Sequence, residues 1–348
     1  MIKPTDFLQR SATLLTDQIY TLPIVILMPH SACNCRCVMC DIWKANRNKQ
    51  EISRDTLISH VDSFRKLKVK WVVLSGGEAL MHSNLWALCE VLKEMNIKIT
   101  ILSTGLLLRK YAKEIIIWSD EVTVSLDGSA KIHNNIRNIH DAYQKLEAGV
   151  KALREIKPDF HITARCVLQR LNYRDLPNII ESAANLGLNQ ISFLAADVST
   201  TAFNRPRGWD TERVSDVALN SAEVAEFRQI IEQTIDDHYD SFANGFIAET
   251  PEKIRRLAMY YSALNGINDF PEVRCNAPWV STVIEADGSV RPCFFHHTLG
   301  NIHEKPMTEI LNSPEAHHFR KHLDVRRDPI CRKCVCSLKL HPAKSVIS

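Results

Sequence analysis

The sequence predicts an α/β fold in which a partial (βα)6 parallel barrel precedes a small, cysteine-rich α+β domain. Short β-branched apolar runs alternate six times with longer runs of helical periodicity, which indicates a parallel sheet with right-handed crossovers. Glycines and polar residues follow the end of each short run. The last quarter of the chain carries a hairpin pattern flanked by cysteines.

Six runs have the length and composition of strands. They cover residues 23–28, 71–74, 98–102, 121–126, 161–168 and 190–194. Between them, apolar residues recur at helical spacing. We expect helices at about 54–68, 85–95, 142–156 and 175–186. Six βα units are too few for a closed eight-stranded barrel, so an open, partial barrel is predicted.

Residues suited to binding follow every predicted strand. In order, they are a cysteine cluster, SGGE, STG, SLDG, QR and AAD. Because parallel strands end at one rim, and because active sites of α/β proteins lie at that rim, the shared register predicts one composite site.

Beyond residue 200 the strand–helix alternation stops. Residues 199–216 are rich in turn formers and have no clear period, so a loop or connector is expected there, and helices are predicted at about 221–238 and 251–264. A hairpin follows, with its turn at Asp287-Gly288. The predicted division is an N-terminal extension (1–20), the barrel (21–200), a helical connector (201–272) and the cysteine-rich domain (273–348).

Composition excludes several classes of protein. The chain has 348 residues, enough to bury a full core, and its formal net charge of +3 argues against nucleic-acid binding. No signal peptide and no apolar run of about 20 residues is evident, so we expect a cytoplasmic protein. In a reducing compartment, clustered cysteines indicate metal ligands rather than disulfides. Cys89 and Cys166 lie in apolar segments instead, and we expect them to be buried packing residues.

The first cysteine cluster, "CNCRCVMC", contains the spacing C-x3-C-x2-C at Cys33, Cys37 and Cys40. Three thiolates can hold three irons of a [4Fe–4S] cluster and leave the fourth iron open to a ligand. Zinc fits poorly, because no fourth ligand is close in sequence. Cys35 is then surplus, and we predict that it does not bind iron.

This cluster loop after the first strand of a (βα)6 chain resembles that of the radical S-adenosylmethionine (radical SAM) enzymes. The resemblance covers residues 21–200. It implies that the open iron binds S-adenosyl-L-methionine, whose reductive cleavage gives a 5′-deoxyadenosyl radical that abstracts hydrogen from a substrate. It also implies a flavodoxin- or ferredoxin-type electron donor.

Further motifs extend the resemblance. Gly76, Gly77 and Glu78 resemble the family's GGE turn, which binds the methionine amino group. Ser103-Thr104-Gly105 stands where the family often has Thr-Asn-Gly. The cofactor-binding residues that the resemblance implies are Gly76, Gly77, Glu78, Ser103, Ser125, Asp127, Arg137, Phe193 and Leu194.

The second cysteine group resembles the shorter, "twitch" form of the SPASM extension found in radical SAM enzymes. Its pattern is C-x12-G-x4-C followed by a late C-x2-C, which implies an auxiliary [4Fe–4S] cluster. The ligands so implied are Cys275, Cys293, Cys331 and Cys334. Cys336 either replaces Cys334 or stays free, and ligand type alone leaves a structural zinc open. We expect the adjacent His296 and His297 to form a polar turn rather than a ligand pair.

The predicted function is therefore that of a radical SAM oxidoreductase. We expect oxidation or rearrangement of a small metabolite such as a sugar, an alcohol or a lipid-like molecule. Maturation of a ribosomal peptide is the alternative. Asp197 is the candidate general base, with Gln169 and Arg170 as neighbouring rim residues.

Overall fold

The computed structural model describes residues 3–346, whose regular structure comprises nine strands, fifteen α-helices and four short 3-10 helices. The strands are β1 (Ile24–His30), β2 (Trp71–Gly76), β3 (Lys98–Ser103), β4 (Glu121–Ser125), β5 (His161–Leu168), β6 (Gln190–Ala195), β7 (Ser281–Ile284), β8 (Ser289–Arg291) and β9 (Gly300–Asn301). The helices are α1 (Pro4–Thr16), α2 (Arg54–Ser59), α3 (Val61–Lys66), α4 (Leu85–Glu94), α5 (Ala112–Trp118), α6 (Ala130–Arg137), α7 (Ala142–Ile156), α8 (Leu176–Asn185), α9 (Thr211–Val217), α10 (Ser221–Asp237), α11 (Tyr239–Ala243), α12 (Pro251–Leu264), α13 (Ala277–Val280), α14 (Met307–Leu311) and α15 (Pro314–His322).

The first six strands form the predicted parallel array. They pair in sequence order, each with the next, and all six run parallel. Helices connect them, as expected for right-handed crossovers. The predicted α/β class and partial barrel are therefore confirmed.

The cysteine-rich end of the chain continues the same sheet. Strand β7 lies parallel to β1, with Ile24 opposite Ser281, and β8 and β9 add antiparallel strands beyond it. The hairpin turns where the sequence predicts, since Gly288 has a φ of +84° and its N–H donates to the Glu285 carbonyl at 2.9 Å. The edge of the barrel sheet at β1 is thus covered by the C-terminal segment.

Successive side chains of each strand point to opposite faces of the sheet, so one face packs in the hydrophobic core and the other faces the barrel interior. On β5, Ile162, Ala164, Cys166 and Leu168 are buried in the main hydrophobic cluster, whereas the residues between them face the barrel interior. Cys89 is also fully buried in this cluster, as expected.

Two local expectations need correction. The helix expected at 54–68 is divided into α2 and α3 at His60, whose Nε2 lies 2.8 Å from the carbonyl oxygen of Ile302. The stretch expected to be a loop after residue 200 contains α9. Helix α1 occupies the N-terminal extension and is tied to the C-terminal segment, because Arg10 donates to the Lys344 carbonyl at 2.6 Å.

Within residues 3–346, no helix combines the length and apolarity that crossing a bilayer requires.

Candidate active site

The loop that follows β1 is fixed by the end of helix α6. The backbone N–H groups of Arg36 and Val38 donate to the carbonyls of Arg137 and Ile136 at 3.2 and 3.0 Å. These carbonyls lie in the last turn of α6, where intrahelical donors run out. Asn46 adds a reciprocal pair of hydrogen bonds with the backbone of Cys33, both at 2.9 Å.

Three of the four cysteines in this loop face one cavity. Cys33, Cys37 and Cys40 line a space of about 300 Å³, which we call the central cavity. Its walls are the cluster loop, the ends of β2–β6, and a cover formed by Phe203, Phe294, Phe295, Val335 and Cys336. Cys35 is buried and is not among the residues that line this cavity.

Each of the three thiols receives an N–H group. The N–H of Cys35 approaches the Cys33 sulfur, the N–H of Ile42 approaches the Cys40 sulfur, and the Arg137 guanidinium approaches the Cys37 sulfur, all at 3.5 Å. Hydrogen bonds of this kind stabilise thiolates, which are the form that binds iron.

Protonation of these thiols follows from burial and from neighbouring groups. Burial raises the pKa of Cys33 to about 12 and that of Cys40 to about 11. A hydrogen bond from the Cys35 thiol lowers the pKa of Cys37 to about 7. Metal binding at this loop must therefore displace protons from Cys33 and Cys40.

The spacing of the thiols suits a cluster better than a single ion. Around one zinc ion with Zn–S bonds of about 2.3 Å, ligand sulfurs lie roughly 3.8 Å apart. Among the described residues, no three cysteine sulfurs lie within 4.8 Å of one another. A [4Fe–4S] cluster places its iron atoms between the ligand sulfurs and so accommodates wider separations.

The turn after β2 packs directly on the cluster loop. A Cβ atom at Gly77 would lie 2.1 Å from the carbonyl oxygen of Ala32, and that oxygen accepts a hydrogen bond from Glu78 N–H at 2.9 Å. Gly76 has a φ of +109°, which favours glycine. The two glycines therefore allow a contact that any side chain would prevent.

Glu78 is fully buried beneath the cavity and links β2 to β3. One carboxylate oxygen accepts from the Thr104 N–H and hydroxyl, both at 2.6 Å, and from the Ser103 hydroxyl at 3.2 Å. The other accepts from Leu80 N–H at 3.1 Å. Burial raises the pKa of Glu78 above its ordinary value despite these donors.

Ser125 lines the central cavity at the end of β4, but Asp127 lies behind it. Asp127 is fully buried, forms an ion pair with Arg137 and accepts from Val167 N–H at 3.0 Å. Burial alone would lower the pKa of Arg137, but Asp127 and the nearby thiols raise it above its ordinary value. The Arg137 guanidinium therefore already has two protein partners, the Asp127 carboxylate and the Cys37 sulfur, although Arg137 lines the cavity.

The two residues proposed at the end of β6 lie on opposite faces. Leu194 lines the central cavity, whereas Phe193 is buried in the hydrophobic core and its N–H donates to Glu249 at 2.9 Å. Strand alternation makes this unavoidable for adjacent residues. The side chain of Phe193 therefore does not face the cavity, whereas that of Leu194 does.

Asp197 lines the cavity, but its carboxylate is already engaged. It forms an ion pair with the buried Arg205 and accepts from the Thr200 hydroxyl at 2.5 Å. The neighbouring rim candidates lie elsewhere: Gln169 is fully buried, and Arg170 pairs with Glu223 at 2.9 Å outside the cavity.

The second group of cysteines covers the open side of the barrel. Cys275 and Cys293 flank α13 and the hairpin, and Cys331, Cys334 and Cys336 follow α15. Cys336 lines the central cavity. The sulfur of Cys275 receives the N–H of Ala277 at 3.4 Å, the same local bond seen in the first loop. In the same region the ligand atoms of His296, Asp328 and Cys331 lie within 4.8 Å of one another.

The sequence reasoning missed the role of His296. This side chain is buried, and its Nε2 lies 3.3 Å from the Cys331 sulfur and 3.9 Å from Asp328. Burial lowers the pKa of His296, so the neutral imidazole can donate one hydrogen bond to that sulfur. Because Cys331 lies 35 residues further along the chain, nothing in the local sequence around the two histidines predicts this contact.

Two profiles of known families match the chain. That of the radical SAM superfamily matches residues 27–183, and that of the SPASM iron-sulfur cluster-binding domain matches residues 275–335. They contain both groups of cysteines described above, apart from Cys336.

Curated relatives match over most of the chain at low identity. Pre-heme d1 synthase of Dinoroseobacter shibae is 24% identical over 92% of this chain and 80% of its own length. The AdoMet-dependent heme synthase of Methanosarcina barkeri is 24% identical over 88% and 85%. The antilisterial bacteriocin subtilosin biosynthesis protein AlbA of Bacillus subtilis is 22% identical over 87% of this chain and 62% of its own length.

A solved structure shows the same fold. Streptococcus suis SuiB bound to its precursor peptide SuiA superposes with a TM-score of 0.63 and 15% identity. The match covers 94% of this chain and 74% of SuiB.

Proposed function

Since this chain is a radical SAM enzyme with a C-terminal SPASM domain, we propose that it oxidises or rearranges a small molecule bound in the central cavity. One observation carries the proposal: the cavity is lined both by the three cysteines of the first loop and by Cys336 of the second group. A substrate there would lie between the two metal-binding regions. Such a position suits hydrogen abstraction on one side and electron transfer on the other.

The cofactors divide between the two cysteine groups. Cys33, Cys37 and Cys40 would hold the [4Fe–4S] cluster that binds S-adenosyl-L-methionine. Cys275, Cys293, Cys331 and Cys334 would hold the auxiliary [4Fe–4S] cluster. When bound, the first cluster and S-adenosyl-L-methionine supply a 5′-deoxyadenosyl radical.

The protein residues would bind and shield the reactants. Gly76 and Gly77 expose backbone to the cofactor, and Ser103 and Ser125 offer hydroxyl groups at the cavity wall. Phe203, Phe294 and Phe295, with ring centroids 6.0 to 6.4 Å apart, cover the cavity and would exclude water from a radical. We place the enzyme in the cytoplasm, with a flavodoxin or ferredoxin as electron donor.

Anaerobic reconstitution tests the proposal. Two [4Fe–4S] clusters require about eight irons and eight sulfides per chain. Reductant and S-adenosyl-L-methionine should then give 5′-deoxyadenosine, and Cys37→Ala should abolish it. Cys89→Ala, at a buried cysteine of α4 that belongs to neither group, is the matched control. 5′-Deoxyadenosine formation that survives Cys37→Ala would overturn the proposal.

Peptide maturation is the second candidate, because AlbA, a bacteriocin biosynthesis protein, matches over 87% of this chain. The two candidates separate by which compounds stimulate 5′-deoxyadenosine formation. The small-molecule panel should include tetrapyrroles, since two relatives are named for heme synthesis. Stimulation by a peptide, and by none of the small molecules, would favour the second candidate.

A further inference from the structure

The first cysteine loop carries a concentrated positive charge. Residues 36–49 contain four cationic side chains and a single carboxylate. The cations are Arg36, Lys44, Arg47 and Lys49, and the carboxylate is that of Asp41. The whole chain has a formal net charge of only +3. This loop therefore accounts for the charge surplus of the molecule, and cations and anions balance over the rest of the chain.

Most of these cations are exposed and have no carboxylate partner. Arg36, Arg47 and Lys49 are exposed and form no ion pair with any residue in the described range 3–346. Lys44 pairs with Asp41 at 2.8 Å, although its side chain remains 52% exposed. The positive charge of the loop is thus open to solvent rather than neutralised by the protein.

Trp43 connects these cations to a proposed ligand of the first cluster. The Arg36 guanidinium carbon and the Lys44 Nζ lie 5.7 and 5.9 Å from the centroid of its ring, which are cation–π distances. The Trp43 Nε1 donates to the Cys40 carbonyl at 3.0 Å. A molecule that contacts the half-buried indole is therefore one hydrogen bond away from the backbone of Cys40.

The residues Arg36, Trp43, Lys44 and Arg47 form what we call the Trp43 surface. Lys44 and Arg47 begin on the same side of a 3-10 helix, in which side chains three residues apart are eclipsed. None of the four lines the central cavity or the neighbouring cavity of about 390 Å³ behind the phenylalanine wall. A substrate bound in either cavity would leave this surface free, so its partner comes from outside the barrel.

A second group of exposed cations lies beside the other cysteines, but most of its charge is paired. Its ion pairs are Arg326–Glu272, Arg327–Asp324 and Arg332–Asp269, at 3.1, 3.6 and 3.7 Å. The Trp43 surface has only the one carboxylate of Asp41 for its cations. Of the two cationic surfaces beside cysteine groups, the Trp43 surface therefore has the stronger attraction for an acidic partner.

We propose that the Trp43 surface docks the acidic one-electron carrier, a flavodoxin or a ferredoxin, that reduces the first cluster. The inference rests on the proposed function, because that electron is needed to cleave S-adenosyl-L-methionine. The carrier is oxidised by one electron, the cluster held by Cys33, Cys37 and Cys40 is reduced by one, and no covalent bond forms or breaks. Opposite charges steer the carrier to the loop, and small redox interfaces let it leave after transfer.

Binding of purified carriers to the reconstituted enzyme tests the proposal without turnover. An acidic flavodoxin and an acidic ferredoxin are titrated separately by isothermal calorimetry at low and at high salt. Arg36→Glu combined with Arg47→Glu should weaken binding of the docking carrier on the order of tenfold at low salt. Added salt should weaken binding to the unmodified enzyme more than to this variant, because exposed charges are screened.

Arg326→Glu combined with Arg327→Glu is the matched control, because it makes the same change in net charge on the second cationic surface. We expect it to weaken carrier binding much less. Equal weakening by both double variants, or greater weakening by the control, would overturn the proposal. So would the absence of salt-sensitive binding of either carrier.

Chemical reduction separates this proposal from the proposed function. With dithionite, which needs no docking surface, the Arg36→Glu, Arg47→Glu variant should form 5′-deoxyadenosine as fast as the unmodified enzyme. With reduced carrier below saturation, its rate should fall on the order of tenfold. Equal losses with both reductants would contradict docking. If the unmodified enzyme forms no 5′-deoxyadenosine with dithionite, the proposed function fails, and the binding titrations still judge the docking surface.

Iron content, measured in parallel, shows whether the variants keep their clusters. Arg36 lies between two cysteines of the loop, whereas Arg47 lies beyond them and is exposed. Arg47→Glu alone therefore repeats both tests if the double variant loses iron, with a smaller expected loss of carrier binding. Unchanged carrier binding in Arg47→Glu at low salt would then count against the proposal.

Discussion

Removing the carboxylate of Asp127 should destabilise the folded chain strongly. Asp127→Ala would leave the Arg137 guanidinium buried without its ion-pair partner and would also free the Val167 N–H that Asp127 accepts. Breaking a buried pair by removing one partner costs about 3–5 kcal/mol. The two side chains are 0% and 8% exposed, so water does not replace the lost contact.

Urea unfolding of the chelator-treated, reduced protein measures this cost. The matched control is Glu232→Ala, which breaks an ion pair with Arg255 at 2.7 Å on the surface. Exposed pairs contribute about 0–1 kcal/mol. An Asp127→Ala variant that loses no more stability than Glu232→Ala would refute the reasoning, because Asp127 is buried and also accepts from the Val167 N–H, whereas Glu232 is exposed.

A double-mutant cycle then separates the pair from the loop it supports. Asp127→Leu combined with Arg137→Met removes both charges and should recover part of the stability lost by either change alone. The backbone carbonyl of Arg137 is retained in this variant, so the hydrogen bond from Arg36 to it should persist. Additive losses would show that the two side chains are not coupled.

Three further outcomes follow from the same site. Gly77→Ala should lower the iron content from about eight to about four per chain, because its Cβ would lie 2.1 Å from the Ala32 carbonyl oxygen; full iron content would contradict this. Cys35→Ser should retain the first cluster by electron paramagnetic resonance and Cys33→Ser should lose it, and the reverse result would exclude the proposed ligand set. Burial raises the pKa of Glu78, so the folded state holds this proton more tightly and stability falls as pH rises above the ordinary carboxyl pKa of about 4.3. Between pH 5 and 8 the free energy of unfolding measured with urea should therefore fall for the unmodified protein relative to Glu78→Gln. Parallel pH profiles for the two proteins would contradict this expectation.

The features predicted correctly from the sequence are local. The strand and helix bounds at 161–168, 142–156 and 251–264 follow from periodicity within one element, and the structure places β5, α7 and α12 there. The spacing of Cys33, Cys37 and Cys40 is likewise confined to eight residues, and the structure brings all three to one cavity.

The features that sequence reasoning missed depend on distant pairs. The motif that contains Arg137 predicts cofactor binding, but it does not predict the ion pair that the Arg137 guanidinium forms with the buried carboxylate of Asp127. Likewise, His296 lies beside the sulfur of Cys331, which is 35 residues away in the sequence. Such contacts join residues that are distant in the sequence, so the spacing of apolar residues within one helix or strand does not predict them.

The position of the second cysteine group follows from the sheet. A six-stranded partial barrel leaves β1 as an edge, with unpaired backbone groups beside the loop that carries Cys33. Strand β7 pairs with that edge, and β8 returns antiparallel to it and ends two residues before Cys293. The hydrogen bonds that protect the edge of β1 therefore also bring Phe294 and Phe295 over the central cavity. Because β1 leads into the first cysteine loop and is paired with β7, one sheet fixes both cysteine groups relative to the same cavity.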